Sequence, residues 1–300
     1  MRQRMGRIAG AVALWYWVAA GVAAQTAGET AGDTAPPPPF ASFERASEPV
    51  LNDPHDLAFG PDGRLYVADK FAGRVAILDP ETLALVGSFG DGGLAGVHDI
   101  SFAPDGTAVV AVTGLSAVAL YDPPYEGVEP RILSPFPNTE GALAHSNGRL
   151  YVMASGTGQL LAVEGERLVA LAEGHFGAHD VAEAPDGSIW VADNAARRLV
   201  RYSQDLERMQ VIEGPEFGFL GPRYLDIDAF GRLAVADQDA HRILLIDPLD
   251  ETLVGVLGDG VPGIGPGRFD DPEGVAVRDN AYFFADSDNN RVVKYVVVVN

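Results

Sequence analysis

The chain has 300 residues, a formal net charge of −21 and no cysteine. A surface this acidic repels nucleic acid and anionic lipid, so we expect neither as a partner. It favours cations or cationic peptides, or it is simply a solvated acidic surface. The lack of cysteine excludes a disulfide framework and a lipid-modified cysteine anchor.

The N-terminus has the pattern of an export signal. Three arginines stand among the first seven residues, residues 8–22 are mostly apolar, and Ala23 and Ala24 are small residues of the type that signal peptidase requires. We predict a cleaved signal peptide over residues 1–24 and a periplasmic or secreted location. The alternative is an uncleaved anchor, which would be the chain's only contact with a membrane.

Residues 25–39 combine small and polar residues with four consecutive prolines. Such a segment cannot bury apolar area, and we predict a tether that is flexible at first and then stiff. The remaining residues, 40–300, fall within the size range of a single all-β domain.

A short pattern returns six times, at intervals of roughly 43 residues, with its clearest copy at residues 54–80. Each copy reads as strand, glycine turn, strand, polar loop, strand, turn and strand. This period is typical of a β-propeller with one four-stranded blade per repeat. We therefore predict an all-β, six-bladed propeller. Its innermost strands are predicted to begin at His55, His98, Glu140, His179, Arg223 and Glu273.

The turn after each inner strand is predicted from residues that tolerate positive φ, as in Asp62-Gly63 of blade 1. Blade 6 ends one strand short at the C-terminus. Residues 40–47 form an unassigned strand-like run ahead of blade 1. We predict that this run supplies the fourth strand of blade 6, which closes the ring and removes an exposed edge.

Residues 267–295 resemble the NHL repeat of six-bladed propellers. An Asp-x4-Arg core recurs in four blades, where the Asp ends strand two and the Arg opens strand three. We expect these side chains to pair with each other or with backbone groups and to fix the loop between the two strands. NHL propellers include enzymes, adhesion modules and scaffolds, so the resemblance implies a fold and leaves the activity open. The four pairs are Asp69 with Arg74, Asp193 with Arg198, Asp237 with Arg242, and Asp286 with Arg291.

Aligning the blades places the first residue of each inner strand at the top of a central channel. The next residues inward are Asp56, Asp99, Gly141, Asp180, Tyr224 and Gly274, so three His-Asp pairs converge. The other histidines, His145, His175 and His241, fall in turns or loops. Arg223 is the only permanent cation expected among up to five carboxylates. Two carboxylates about 5 Å apart repel by roughly 3 kcal/mol, so this cluster calls for a metal or for raised pKa values.

Imidazole nitrogen suits zinc, whereas carboxylate and carbonyl oxygens suit calcium, and we expect one of these ions at the channel top. Two alternatives are a wide, wet channel that keeps the side chains apart, and a directly bound cationic ligand. The candidate metal ligands are His55, His98, His179, Asp180, Glu140 and Glu273.

The Pro-His-Asp-Leu pattern also resembles peptidyl-hydroxyglycine lyases, which amidate peptides. The resemblance implies zinc on His55, His98 and His179, and calcium on Asp180 with the carbonyl of Leu57.

Two departures weaken this resemblance. The family takes its histidines from alternate blades, whereas here they come from blades 1, 2 and 4. No tyrosine stands where the family has its catalytic one. Tyr224 beside Arg223 is the only nearby replacement as general base or proton donor, so both are candidate catalytic residues.

Gluconolactonase-like and streptogramin-lyase-like propellers are a third comparison. They hold a divalent cation at the channel top, where it polarises a lactone carbonyl or an ester. By this resemblance Glu140, Glu273 and His179 would serve. Four phenylalanines are also expected in top-face loops, where they cap the blade ends or offer an apolar docking site. They are Phe71, Phe176, Phe217 and Phe219.

Together these features predict a monomeric, exported NHL-repeat propeller that acts as a binding module. It would present its top face to a small molecule, a peptide or a protein, with zinc or calcium in the channel. The alternative is a metal-dependent lyase or hydrolase that uses the same cluster.

Overall fold

The computed structural model describes residues 38–297, so the predicted signal peptide and nearly all of the tether lie outside the described residues. The described chain forms six four-stranded antiparallel sheets, and the predicted six-bladed propeller is confirmed. Two short 3-10 turns, Thr113–Leu115 and Gln238–Ala240, occupy loops between strands two and three. No helix in this part of the chain is long and apolar enough to span a membrane.

The strands are numbered β1 to β24 in chain order, and each blade runs from the channel outwards. Blade 1 consists of β2 Pro54–Phe59, β3 Leu65–Asp69, β4 Arg74–Leu78 and β5 Leu85–Phe89. Blade 2 consists of β6 Val97–Phe102, β7 Ala108–Val112, β8 Ala117–Tyr121 and β9 Arg131–Leu133. Blade 3 consists of β10 Thr139–Ala144, β11 Leu150–Ala154, β12 Gln159–Glu164 and β13 Arg167–Glu173. Blade 4 consists of β14 Asp180–Glu183, β15 Ile189–Asp193, β16 Arg198–Tyr202 and β17 Arg208–Ile212. Blade 5 consists of β18 Pro222–Ile227, β19 Leu233–Asp237, β20 Arg242–Asp247 and β21 Thr252–Leu257. Blade 6 consists of β22 Pro272–Arg278, β23 Ala281–Asp286, β24 Arg291–Val296 and β1 Ser42–Ala46.

The ring closes as predicted, because β1 pairs antiparallel with β24 as the outer strand of blade 6. The closure is also tied to blade 1 by charge. Lys294 of β24 is buried, and its Nζ lies 3.1 Å from Glu81 of blade 1 and 3.5 Å from Glu44 of β1. One lysine therefore holds the first strand of the ring, the last blade and the first blade together.

The four Asp-x4-Arg pairs form the expected ion pairs across the loop between strands two and three. In blade 1, for example, Arg74 Nε donates to Asp69 Oδ2 at 2.8 Å, and the backbone N–H of Asn52 donates to Asp69 Oδ1 at 2.6 Å. The carboxylate thus fixes its own loop and also the segment that enters the blade from the top. In the other three blades the pairs are Asp193 with Arg198, Asp237 with Arg242, and Asp286 with Arg291.

The hydrophobic core lies between neighbouring blades rather than inside any one of them. Tyr66 and Phe89 of blade 1, for example, pack with Val110 and Tyr121 of blade 2 in one buried cluster. Each blade therefore fixes the position of the next, and the inner strands reach the channel in a regular circle. The predicted glycine turns are present, with φ of +79° at Gly63 after the first inner strand.

Candidate functional site

The channel top is a packed cluster of buried polar side chains. The imidazole rings of His55 and His98 lie 4.5 Å apart, centroid to centroid, and both are buried together with Glu140 and Glu273. The alternative of a wide, wet channel that keeps these side chains apart is therefore wrong. In a ring of six blades, the inner strands lie close enough for these side chains to contact their neighbours.

Tyr224 closes the channel beneath this cluster. It reaches from blade 5 to the opposite blade 2, where its hydroxyl donates a hydrogen bond to the carbonyl of His98 at 3.0 Å. The side chain is fully buried, and burial together with the nearby Glu273 carboxylate raises its pKa well above the usual value. Tyr224 therefore keeps its proton, and its hydroxyl is committed to the backbone.

On one side of the channel top, ligand atoms of Asp53, His55 and Glu273 all lie within 4.8 Å of one another. Two cations contact this group. Lys70 Nζ lies 2.9 Å from His55 Nε2 and 3.1 Å from Asp53 Oδ2, and Arg223 Nε lies 3.1 Å from Glu273 Oε2. The expectation that Arg223 is the only permanent cation is wrong, because the loop after β3 brings Lys70 to the channel.

The pKa values on this side reflect that balance of charge. Burial opposes ionisation of Asp53, but His55 and Lys70 outweigh it and lower the pKa of this carboxyl to about 2. Burial also opposes a charge on His55, yet Glu273 and Asp53 outweigh it and raise the pKa of the imidazole. The acidic and basic groups of this side neutralise one another.

The other side is centred on Glu140, which lies between two histidines. Its Oε2 is 3.1 Å from His98 Nε2 and 3.7 Å from His179 Nε2, and its Oε1 accepts a hydrogen bond from Asn138. Oε2 is buried and makes no hydrogen bond with any residue in the described range 38–297. Burial raises the pKa of the Glu140 carboxyl, although Arg223 partly opposes this effect.

The tautomer of His98 follows from its neighbours. Its Nδ1 lies 2.8 Å from both the carbonyl of Gly96 and Oγ1 of Thr113, and Thr113 uses its own hydrogen to bond the carbonyl of Thr139. Nδ1 must therefore carry the hydrogen, which leaves a bare lone pair on Nε2. Burial and the nearby His55 lower the pKa of His98 to about 2. Two acceptors, Nε2 and Glu140 Oε2, thus face each other at 3.1 Å.

A layer of aspartates lies one residue further inward. Asp56, Asp99 and Asp180 each accept the backbone N–H of an inner strand in the next blade, at 3.3, 2.9 and 2.7 Å. These carboxylates hold blades together. Burial raises the pKa of Asp180 to about 7, and burial with mutual repulsion raises those of Asp56 and Asp99 well above normal.

Both oxygens of Asp180 accept backbone N–H groups, from Leu225 and Val181. Its role as a calcium ligand stays a prediction. Blades 3 and 6 have glycine in this layer, and the reason is steric. A Cβ at Gly141 would overlap the carbonyl oxygen of His179, and one at Gly274 would overlap that of His55.

A pocket of about 540 Å³ opens beside the channel top, on the side of Glu273. Of the four phenylalanines expected in top-face loops, Phe217 and Phe219 are buried and stacked on each other, so they cap the blade ends. Phe71 and Phe176 are exposed, and Phe71 lines the pocket. The full lining is Asn52, Asp53, Lys70, Phe71, Arg223, Gln238, Asp271, Glu273, Ser287, Asp288 and Asn290.

Sequence reasoning missed four residues of this site, and two of them had a signal. Asp53 and Asp271 each precede a proline at the start of an inner strand, so they occupy the same repeat position in blades 1 and 6. Gln238 bridges Asp271 and Glu273 through its amide, and Lys70 follows a motif aspartate. Neither type of residue stands out in a single sequence.

The fold and the site define a six-bladed β-propeller with a buried cluster of histidines and carboxylates at the top of its channel. The chain carries an NHL repeat. The NHL repeat family model matches residues 51–78, which cover the first three strands of blade 1, and the predicted NHL-type propeller is thereby confirmed. A comparison with curated protein sequences finds no match.

Solved propellers share the fold at low sequence identity. Virginiamycin B lyase from Staphylococcus aureus aligns with a TM-score of 0.63 and 10% identity, over 85% of this chain and 100% of the lyase. An auxiliary nutrient binding protein from Bacteroides thetaiotaomicron aligns with 0.67 and 16%, over 82% and 69%. The β-propeller domain of Cps50 (Swd1) from Myceliophteria thermophila aligns with 0.62 and 11%, over 86% and 100%. The likeness to these three proteins concerns the fold alone.

Proposed function

We propose that the chain is an exported binding module whose channel top holds a divalent metal, zinc in first place, on His98, His179 and Glu140. The observation that carries the proposal is the pair of facing acceptors. His98 Nε2 has no hydrogen, Glu140 Oε2 makes no hydrogen bond with residues 38–297, and the two atoms are 3.1 Å apart. Either a cation or a proton on Glu140 must lie between them.

The donor set suits zinc. Two imidazole nitrogens and one carboxylate oxygen are ligands that zinc prefers, and a ligating histidine typically donates its other ring N–H to a backbone carbonyl, as His98 does to Gly96. Zinc bound there would supply an electrophilic site at the channel top. Calcium suits the channel top less well, because two of the three donors are nitrogens.

The compact group of Asp53, His55 and Glu273 is a weaker metal site for an electrostatic reason. Lys70 and Arg223 already neutralise its two carboxylates at 3.1 Å. A divalent cation would have to displace these side chains or lie against them. We therefore place the metal on the Glu140 side only.

For the alternative, a metal-dependent lyase or hydrolase, we find no observation in favour beyond the metal-binding donor set itself. Arg223 bonds Gln238 and faces Glu273, and the Tyr224 hydroxyl bonds the His98 carbonyl. In the described range, the two candidate catalytic side chains are thus both engaged within the fold. Binding of a ligand at the top face is the function that the geometry supports best.

Zinc titration of the chelator-treated protein, followed by elemental analysis, tests the proposal. We expect one zinc per chain, and loss of that zinc in Glu140→Gln and in His98→Gln. Asp53→Asn is the matched control in the other donor group and should keep its zinc. Loss of zinc in the Asp53 variant with retention in the Glu140 variant would contradict the proposal, because it would place the metal on the side of Asp53, His55 and Glu273. Absence of zinc in the native protein would leave a protonated Glu140 as the explanation.

A further inference from the structure

The pocket beside the channel top carries more negative than positive charge. Its two cations, Lys70 and Arg223, lie against Asp53 and Glu273. Two further carboxylates in its lining have no cationic partner within residues 38–297. Asp271 accepts one hydrogen bond from the neutral amide of Gln238, and the exposed Asp288 makes no side-chain hydrogen bond or ion pair there.

Glu273 also lines this pocket, but its charge is already paired. The residue is 2% exposed, and its Oε2 lies 2.6 Å from His55 Nδ1 and 3.1 Å from Arg223 Nε. Partial burial and the charges of Asp270, Asp53 and Glu273 raise the pKa of Asp288. The potential inside the pocket is therefore negative even with Lys70 and Arg223 present.

The rim of the pocket is apolar at one point. Phe71 is 68% exposed, and Lys70 Nζ lies 4.9 Å from the centre of its ring. An exposed aromatic ring beside the carboxylates of Asp271 and Asp288 matches a ligand with an aliphatic stem and a cationic end. The pocket volume of about 540 Å³ accommodates one long basic side chain with part of its backbone.

We propose that this pocket binds a basic side chain of a peptide, with Asp271 and Asp288 holding its cationic end and Phe71 packing on its methylene groups. The inference rests on the proposed binding function of the top face and names the class of partner. The acidic chain as a whole, at −21, attracts such a peptide to the surface before it docks.

Calorimetric titration of the full-length protein with the peptide acetyl-Lys-Lys-Lys-amide tests this inference. We expect saturable binding that weakens about tenfold in Asp288→Asn and in Asp271→Asn, because each substitution removes a charge-assisted hydrogen bond. Phe71→Ala should weaken binding by a few-fold. Since Phe71 and Asp288 are exposed, these two variants leave the core intact.

Two controls separate the pocket from general charge. The ε-acetylated peptide has no side-chain charges and should not bind. Asp250→Asn removes the same charge from an exposed turn between the outer strands of blade 5 and should bind like the native protein. Equal affinity in the Asp250, Asp271 and Asp288 variants, or binding of the acetylated peptide, would overturn the inference.

Zinc binding is measured on the same variants, so that the two proposals fail separately. Asp271→Asn and Asp288→Asn leave His98, His179 and Glu140 untouched and should keep their zinc. A protein that binds zinc but no basic peptide refutes the pocket and leaves the metal site standing. A protein that binds the peptide without zinc supports the pocket and refutes the metal site.

Discussion

The two sides of the channel top repeat one arrangement with different charges. Glu140 of blade 3 lies between His98 and His179 of the blades on either side, and Glu273 of blade 6 lies between Arg223 and His55. Blades 3 and 6 face each other across the ring, so the two glutamates are related by an approximate two-fold axis.

One position decides the difference between the sides. Where blade 2 has His98, the opposite blade 5 has Arg223. An arginine keeps its charge and neutralises Glu273 from 3.1 Å, whereas a histidine in the Nδ1–H form presents a lone pair to Glu140. The same scaffold thus has one side that is electrostatically complete and one side that needs a cation or a proton.

The largest change in stability is expected from removing Arg223. Arg223→Met keeps much of the side-chain volume but leaves Glu273 buried without its guanidinium. We expect the free energy of unfolding to fall by about 3 kcal/mol, as for other broken buried ion pairs. Urea unfolding measures this loss. The matched control is Arg268→Met, which breaks an exposed pair with Asp259 and should cost less than about 1 kcal/mol. Equal losses would refute a special role for Arg223.

A smaller loss of stability is expected when acid protonates Asp53 on the Glu273 side of the channel top. The pKa of Asp53 is lowered to about 2 in the folded protein, so its contribution to stability is present above the unfolded pKa near 3.8. That contribution is lost as the pH falls from about 4 to about 2, and we expect it to amount to about 2 kcal/mol at most.

Urea unfolding at a series of acidic pH values checks this expectation. Asp53→Asn should be less stable than the native protein at pH 6, and the gap should narrow towards pH 2. The exposed variant Asp250→Asn is the control and should follow the native curve. A gap between Asp53→Asn and the native protein that is constant with pH would contradict the linkage.

The smallest change in stability is expected on the Glu140 side of the channel top. In the zinc-free protein at alkaline pH, where the Glu140 carboxyl has lost its proton, Glu140→Gln replaces a carboxylate that faces the lone pair of His98 Nε2 with an amide, which can donate to that nitrogen. We expect the free energy of unfolding to rise by about 1 kcal/mol at that pH, because a repulsive contact becomes a hydrogen bond. Thermal or urea unfolding after chelation measures the change. Glu273→Gln is the symmetric control and should destabilise the protein. A loss of stability in both variants would show that the two sides are alike.

The sequence was sufficient for the fold because every blade repeats the same local signals. The glycine at position 63, the Asp69 and Arg74 pair, and the unassigned strand at residues 40–47 each have a physical role that the repeat makes visible. Local hydrogen bonding and the need to close an edge predict such features without coordinates.

The site was predictable only in outline. Alignment of the repeats placed His98, His179 and Glu140 at the channel top, but it could not pair each histidine with a carboxylate. Those pairings depend on channel width, which the packing between blades sets. The position of Lys70 depends on a loop conformation, and the reach of Tyr224 across the axis depends on the distance between opposite blades. Neither quantity is encoded in local sequence.

The difference between the two sides is tested most directly by anomalous diffraction at the zinc edge from crystals of the zinc-loaded protein. The account predicts one peak bonded to Glu140, His98 and His179. A peak bonded to Asp53, His55 and Glu273, or no peak on the channel axis, would contradict it.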